Sequence, residues 1–345
     1  MIIILIFLLL IVSITNVTAA EKLRCIDWNN DSKGKIAVVI AGSSRSLKYT
    51  LPSIEHHVFD VLTRHGYEYD VIWSSIQSEN NGIWVVNSKT PTSELQTLDQ
   101  WDSRHVRPCL YASASQAPIL HEEFDRMCTA KNLTCRNGRI YEHVIGKPAQ
   151  AQLKNYMGCF YVQKKAALLM KYYSEGNHFK YDAVIVIRPD TAIVNDIELP
   201  NHMDMIKKDK NAIFIPNFQE YDGYNDRAAY GSYHVMMKYL QRGDDFFADS
   251  TPTLRIAEYF LEEIAIKHKM NVHNTKLRCL RVRTTQFDNE IMRGVVYHLD
   301  TQRKSMNMDD NAWKDMERCF VPRKLSPFEP GTSLENLRVM QPEKC

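Results

Sequence analysis

The chain has 345 residues, 44% of them hydrophobic and 24% charged, a composition suited to one large globular domain or two small ones. Its 43 Lys and Arg against 41 Asp and Glu leave a formal charge of +2, which excludes the concentrated basic charge of a typical nucleic-acid binder. The 8 cysteines include no Cys-x-x-Cys pair with a matching His or Cys pair, which argues against a zinc site.

Residues 1–20, MIIILIFLLLIVSITNVTAA, carry no charged side chain. The apolar run is about 12 residues, the length of a signal-peptide core and short of the ~20 needed to span a bilayer. Val17-Thr18-Ala19 and Thr18-Ala19-Ala20 both fit a small-residue cleavage site, so the segment reads as a signal peptide, with a short uncleaved anchor as the alternative. Entry into an oxidising lumen would favour disulfides among Cys25, Cys109, Cys128, Cys135, Cys159, Cys279, Cys319 and Cys345, in a pairing the sequence does not give. Asn30 and Asn132 head glycosylation sequons in the mature region.

A polar lead (21–34) gives way to KIAVVIAGSSRS, a buried strand closing in a Gly-Ser loop. In LPSIEHHVFDVLTRHG, Ile54, Val58, Val61 and Leu62 share one helix face, with His56 and His57 read as solvated, and YDVIWSSI follows as a second strand. Residues 79–110 read as an irregular polar excursion, ASQAPILHEEFDRMC as a helix and RIYEHVI as a strand. AQLKNYMGCFYVQKKAALLMKYYSEG is a long amphipathic helix whose Gln152, Asn155, Tyr156, Gln163 and Lys164 fit a solvated face as well as a functional one. Next come the strands YDAVIVI and NAIFIPN, then the helices SYHVMMKYLQRG and TLRIAEYFLEEIAIKHKM. Strand-helix-strand order predicts an α/β fold with a mostly parallel central sheet flanked by helices over 35–321, and a polar tail over 322–345.

The strand 183–187 is apolar throughout, as in a sheet covered on both sides, yet it ends in Arg188-Pro189-Asp190-Thr191. Ligands in such sheets bind outside the carboxyl ends of the strands. There Arg188 suits phosphate charge, and Asp190 suits a divalent cation shared with phosphate oxygens. A proline-directed turn in which Asp190 bonds local amides is the structural alternative. Gly42, Ser43 and Arg45 close the first strand in a loop that lets backbone amides approach a nucleotide, though it is neither GxxxxGK[ST] nor GxGxxG. IPNFQEYDGYNDRAAYGSYH then gathers Asp222, Gly223, Asn225, Asp226 and Arg227 into a polar loop able to face a ligand.

The succession GSSRS, YDAVIVIRPDT and GYNDRAAYG resembles glycosyltransferases of the GT-A, Rossmann-related fold, and more narrowly families with KYD-x-x-I-R-x-RPD and GGYNDR-x-A-x-G patterns. The resemblance covers about Lys35 to Arg283 and rests most on RPDT and GYNDRAAYG. It implies a nucleotide-sugar donor, a glycan or glycoprotein acceptor, no nucleic acid, and residence in the Golgi or ER lumen or secretion, with membrane contact only through the N-terminal segment. Donor contacts fall to Gly42, Ser43, Arg45, Arg188, Asp190 and Arg227. Such enzymes hold Mn²⁺ or Mg²⁺ on the diphosphate with a strand-end Asp-x-Asp. Here Arg188 stands at the first acidic position, Asp190 matches the last, and His298 is a candidate late metal ligand. A base for an inverting transfer is expected at Asp226, or next at Asp222. The departure at Arg188 also fits a second reading, a catalytically silent secreted protein that binds carbohydrate or a partner. A hydrolase is disfavoured by the absence of a G-x-S-x-G elbow.

Overall fold

A computed structural model describes residues 31–42, 47–77, 110–115, 135–136, 139–140, 147–218, 223–248, 257–281, 320–322 and 338–340. Among them, β1 (Lys35–Gly42), β2 (Glu68–Gln77) and β3 (Leu110–Ser115) form parallel pairs, and β1 also pairs in parallel with a later strand, Ala183–Ile187. Between β1 and β2 runs helix α1 (Leu47–Ile54), a π-helical turn (Glu55–Phe59) and α2 (Asp60–Arg64). The short strands β4 (Cys135–Arg136) and β5 (Arg139–Ile140) pair only with each other. The long helix α3 (Lys147–Gly176) then leads into β6 (Ala183–Ile187) and β7 (Thr191–Ile193).

Beyond these lie α4 (Leu199–Lys208), β8 (Ala212–Pro216), β9 (Ala228–Gly231), α5 (Tyr233–Leu240), α6 (Arg242–Ala248), α7 (Ala257–Lys267), β10 (Asn271–Thr275) and β11 (Cys279–Arg281). Seven strands make one sheet in the order β10-β8-β9-β6-β1-β2-β3, and β9 alone runs antiparallel to its neighbours. β11 pairs antiparallel with β7, placing Arg281 opposite Thr191. The fold class is therefore the expected one, α/β with a mostly parallel central sheet between helices.

Strand alternation divides the core. Ile36, Val38 and Ile40 of β1, with Ile185 and Ile187 of β6, pack against Leu51, Ile54, Val58 and Leu62. The intervening Ala37, Val39, Ala41, Val184 and Val186 pack against Phe160, Ala166, Ala167 and Met170 of α3 and Val235, Met236 and Tyr239 of α5. Side chains that alternate across a strand are apolar on both faces only when both faces are covered, which is why β1 and β6 read as uninterrupted apolar runs.

Several expectations are corrected. Residues 110–115 form an edge strand, where an irregular segment and the start of a helix were expected; the small, polar LYASAS lacks the apolar signature of a buried strand. Ala228–Gly231 is a buried strand inside what reads as a polar loop, because four residues, AAYG with Tyr230 its one large side chain, are too few to show a periodicity between Arg227 and Ser232. His57 is buried: the π-helical turn rotates it inward, where Nδ1 meets Asp196 Oδ1 at 2.9 Å. Gln163 is also buried in the α3 face rather than solvated, whereas Lys164 is exposed and bonds Asp244 at 2.7 Å. Cys159 and Cys279 are free thiols, so the disulfide expectation fails for these two. Arg338–Met340, within the expected tail, returns to pair with β12 (Phe320–Pro322). Among the described residues, no helix is long and apolar enough to cross a membrane.

Candidate functional site

The carboxyl ends of β1 and β6 meet at one turn. Arg188-Pro189-Asp190-Thr191 closes with Thr191 N donating to Arg188 O at 3.0 Å, with proline at the second position, where its fixed φ favours the turn. α1 clamps this turn from below. Thr50 Oγ1 donates to Pro189 O at 2.6 Å, and Ser53 Oγ accepts from Ile193 N at 3.0 Å. Gly42 sits directly beside it, with φ at +151° and a position where a Cβ would lie 2.8 Å from Pro189 Cδ. Only glycine meets both conditions without displacing the proline.

The second wall is the segment Gly223–Arg227, and each residue has a definable part in it. A Cβ on Gly223 would lie 2.2 Å from the Glu258 backbone, so α7 approaches as closely as backbone allows. Tyr224 N donates to Glu258 O at 2.9 Å. Asn225, fully buried, donates to Phe218 O at 2.7 Å and accepts from Arg227 N at 2.9 Å, which fixes the two following side chains. Because β9 runs antiparallel to β6, its first residue pairs with Ile187, and the residues just before it arrive at the carboxyl end of β6. Arg188 N donates to Arg227 O at 3.0 Å across that junction.

At this junction lies a network of charges. Arg188 holds Asp190 with two nitrogens, Nε to Oδ1 at 3.0 Å and Nη2 to Oδ2 at 3.1 Å, and reaches Asp226 Oδ2 with Nη1 at 3.0 Å. Arg281, on β11, adds a third contact from Nε to Asp190 Oδ2 at 3.1 Å. The aspartate side chains keep 8% and 7% of their surface, while those of Arg188 and Arg281 keep 21% and 28%, so the arginines form the open side. Arg227 is buried at 7% exposure, and its Nε and Nη1 have no hydrogen-bond partner among the described residues. Arg242 lies beneath, its guanidinium 4.3 Å from the centre of the Tyr239 ring and donating to Tyr239 O at 2.8 Å.

Burial alone would raise the Asp226 carboxyl, but the combined fields of Arg188, Arg227, Arg242 and Arg281 hold it below the usual carboxylate range. Burial acts to lower the Arg188 guanidinium, and the two aspartates overcome it and hold it more firmly charged than usual. Arg281 moves the other way: burial and then repulsion from Arg188 and Arg227 outweigh the attraction of Asp190. Glu258 is pushed up by burial and then by Asp226. Thus, among the described residues, three arginines line the network against two aspartates, Arg242 adds positive field from below, and Glu258 is pushed up. Among the described residues the balance of this network is positive and suits an anion.

The structure brings together Gly42, Arg188, Asp190, Asp226 and Arg227 of the residues singled out in the sequence. Ser43, Arg45, Asp222 and His298 lie outside the described residues. Arg281 was missed in the sequence; its signal, a basic residue on a short strand after a buried cysteine, becomes specific only once β11 pairs with β7. A divalent cation does not fit the described residues: both oxygens of Asp190 face guanidinium groups, and no cluster of three or more His, Cys, Asp or Glu side chains among them could hold a metal. Asp226 is likewise a weak base while Arg188 holds it.

No family model matches the chain, and no curated protein matches it in sequence. Among solved structures, the apo form of mouse xyloside xylosyltransferase 1 is similar at 11% identity and a TM-score of 0.34, over 70% of this chain and 84% of that one. The apo structure of WbbM, a bifunctional glycosyltransferase, is similar at 10% identity and a TM-score of 0.31, over 73% of this chain; this chain spans 40% of WbbM's length. Nothing about the site rests on likenesses at this level.

Proposed function

We propose that the protein is a glycosyltransferase that takes a sugar from a nucleoside-diphosphate donor and passes it to a glycan or glycoprotein acceptor. The observation that carries this reading is the surplus of guanidinium charge, among the described residues, at the carboxyl ends of β1 and β6, where an α/β sheet receives its ligand. Breaking an anomeric C–O bond through an oxocarbenium-like transition state leaves a diphosphate whose developing charge must be met. Arg188, held by Asp190 and Asp226, is positioned to supply that charge. In this reading the two aspartates position Arg188. Asp226 serves as the acceptor's base only if donor phosphate draws Arg188 away from it. The N-terminal apolar segment and the sequons support a place in the secretory pathway.

The experiment is a panel of nucleotide sugars assayed for hydrolysis and transfer, with UDP and GDP tested for thermal stabilisation. Donor turnover should appear with one nucleotide class and fall at least ~100-fold in Arg188→Met. Stabilisation by neither nucleotide, with no turnover, would overturn the reading in favour of a silent carbohydrate-binding or interaction protein. The pairing of both site aspartates with Arg188 is the observation that keeps that second reading open.

A further inference from the structure

We infer that arginine takes the place of a divalent cation in this site: Arg227 and Arg281, beside Arg188, carry the diphosphate of the bound nucleotide without metal. The inference rests on the proposed function and adds to it the means of holding the leaving group.

Three observations lead here. First, Arg227 is more than nine-tenths buried, and its Nε and Nη1 have no partner among the described residues. A buried guanidinium with unmet donors is costly to keep unless a ligand supplies the acceptors. Its backbone is nevertheless held in place by Asn225 Oδ1 and by the bond from Arg188 N to Arg227 O. Secondly, the side chains that would ordinarily receive a cation are occupied. Asp190 is bound by Arg188 at both oxygens and by Arg281 at one of them, and a dication entering there would displace guanidinium charge rather than fill a gap. Thirdly, Arg281 keeps 28% of its side-chain surface and reaches Asp190 with its Nε alone, so its two terminal nitrogens are not spent on that carboxylate. Planar guanidinium groups offer paired donors that match phosphate oxygens, and two of them supply the charge of one dication.

The test is isothermal titration of the full chain with UDP and with GDP, in EDTA and in Mn²⁺. Inorganic pyrophosphate serves as competitor, and UMP and GMP as monophosphate controls. The expected result is binding of one diphosphate in EDTA within about threefold of its affinity in Mn²⁺, displaced by pyrophosphate and much weaker for the monophosphate. Arg227→Met should lower that affinity by about 10- to 100-fold, the effect of losing hydrogen bonds to a charged group. Arg281→Gln, on the more exposed side chain, provides a second variant should Arg227→Met not fold, with an expected loss of about tenfold. Arg227→Lys should recover only part of the loss, because a point charge cannot reproduce the fork. Binding that appears only with Mn²⁺, or binding in EDTA that neither Arg227→Met nor Arg281→Gln weakens, would overturn the inference and leave the proposed function standing. Binding of neither diphosphate under any condition would overturn both.

Discussion

The two ends of the central sheet each bury a carboxylate, and they treat it in opposite ways. At the carboxyl end, Asp226 keeps its charge because guanidinium groups surround it, and its carboxyl lies below the usual range despite burial. At the amino end, Asp70 of β2 is 2% exposed and accepts a hydrogen bond from Tyr181 Oη at 2.7 Å. There burial dominates; the tyrosine hydroxyl and Lys35 offset only part of it, and the carboxyl is pushed up to about 6. Burial pushes both carboxyls up, and the amount of opposite charge around each decides whether that push prevails. A stable fold could do without the network at the carboxyl end, since well-packed apolar residues serve burial at least as well.

The largest effect should come from breaking the network at its centre. Arg188→Met leaves Asp190 and Asp226 buried beside an apolar side chain, with an expected loss of about 3–5 kcal/mol of unfolding free energy. Adding Asp226→Asn should recover part of that loss, and urea denaturation of the single and double variants measures the coupling. A loss below ~1 kcal/mol in Arg188→Met would show that the aspartates are better solvated than their exposure implies.

At the other end the sign reverses. A carboxyl raised from its ordinary 3.8 to about 6 is more readily protonated in the folded state, so stability is fully present below pH 3.8 and falls as pH rises through 6. The shift corresponds to about 3 kcal/mol at pH 7. Asp70→Asn, whose carbonyl can still accept from Tyr181, should therefore be more stable than the parent by up to ~3 kcal/mol at pH 7, with the difference vanishing near pH 4. Thermal melts across that interval test this, and a gain independent of pH would refute it.

The smallest effect concerns the geometry that supports the charged end. Gly42→Ala places a methyl group against Pro189 in a backbone conformation that L-residues avoid, with an expected cost of about 2 kcal/mol. If the turn it disturbs sets Arg188, nucleotide affinity should fall with stability. Unchanged affinity in a destabilised variant would separate the turn from the site.

Much of this arrangement is legible in the sequence. Apolar runs at 36–41, 183–187 and 212–216 announce covered strands because their side chains are buried on both faces. The polar residues that end the central run stand out against it. Arg188 and Asp190 therefore stand out in the sequence as a candidate site, with Gly42 and Asp226 as companions that the structure places beside them. What could not be read is how these residues are used. Asp190 looks like a metal ligand in RPDT; it is an arginine's partner only because β11 brings Arg281 to one side while Arg188 turns back onto it. Gln163 and His57 look solvated because one polar residue on an amphipathic helix carries no sign of which side of the stripe it occupies, and at His57 a π-helical turn shifts the phase. β9 escaped because a four-residue strand, AAYG, is too short to show a period.

By itself, then, the sequence determined the covered parallel sheet and the location of its polar rim, since burial on two faces and a break in an apolar run are local properties of a strand. Tertiary structure alone decided the charge balance at that rim, because Arg188 just after β6, Arg227 just before β9 and Arg281 on β11 converge there, and the Asp226 carboxyl is held down by fields from residues far away in the chain.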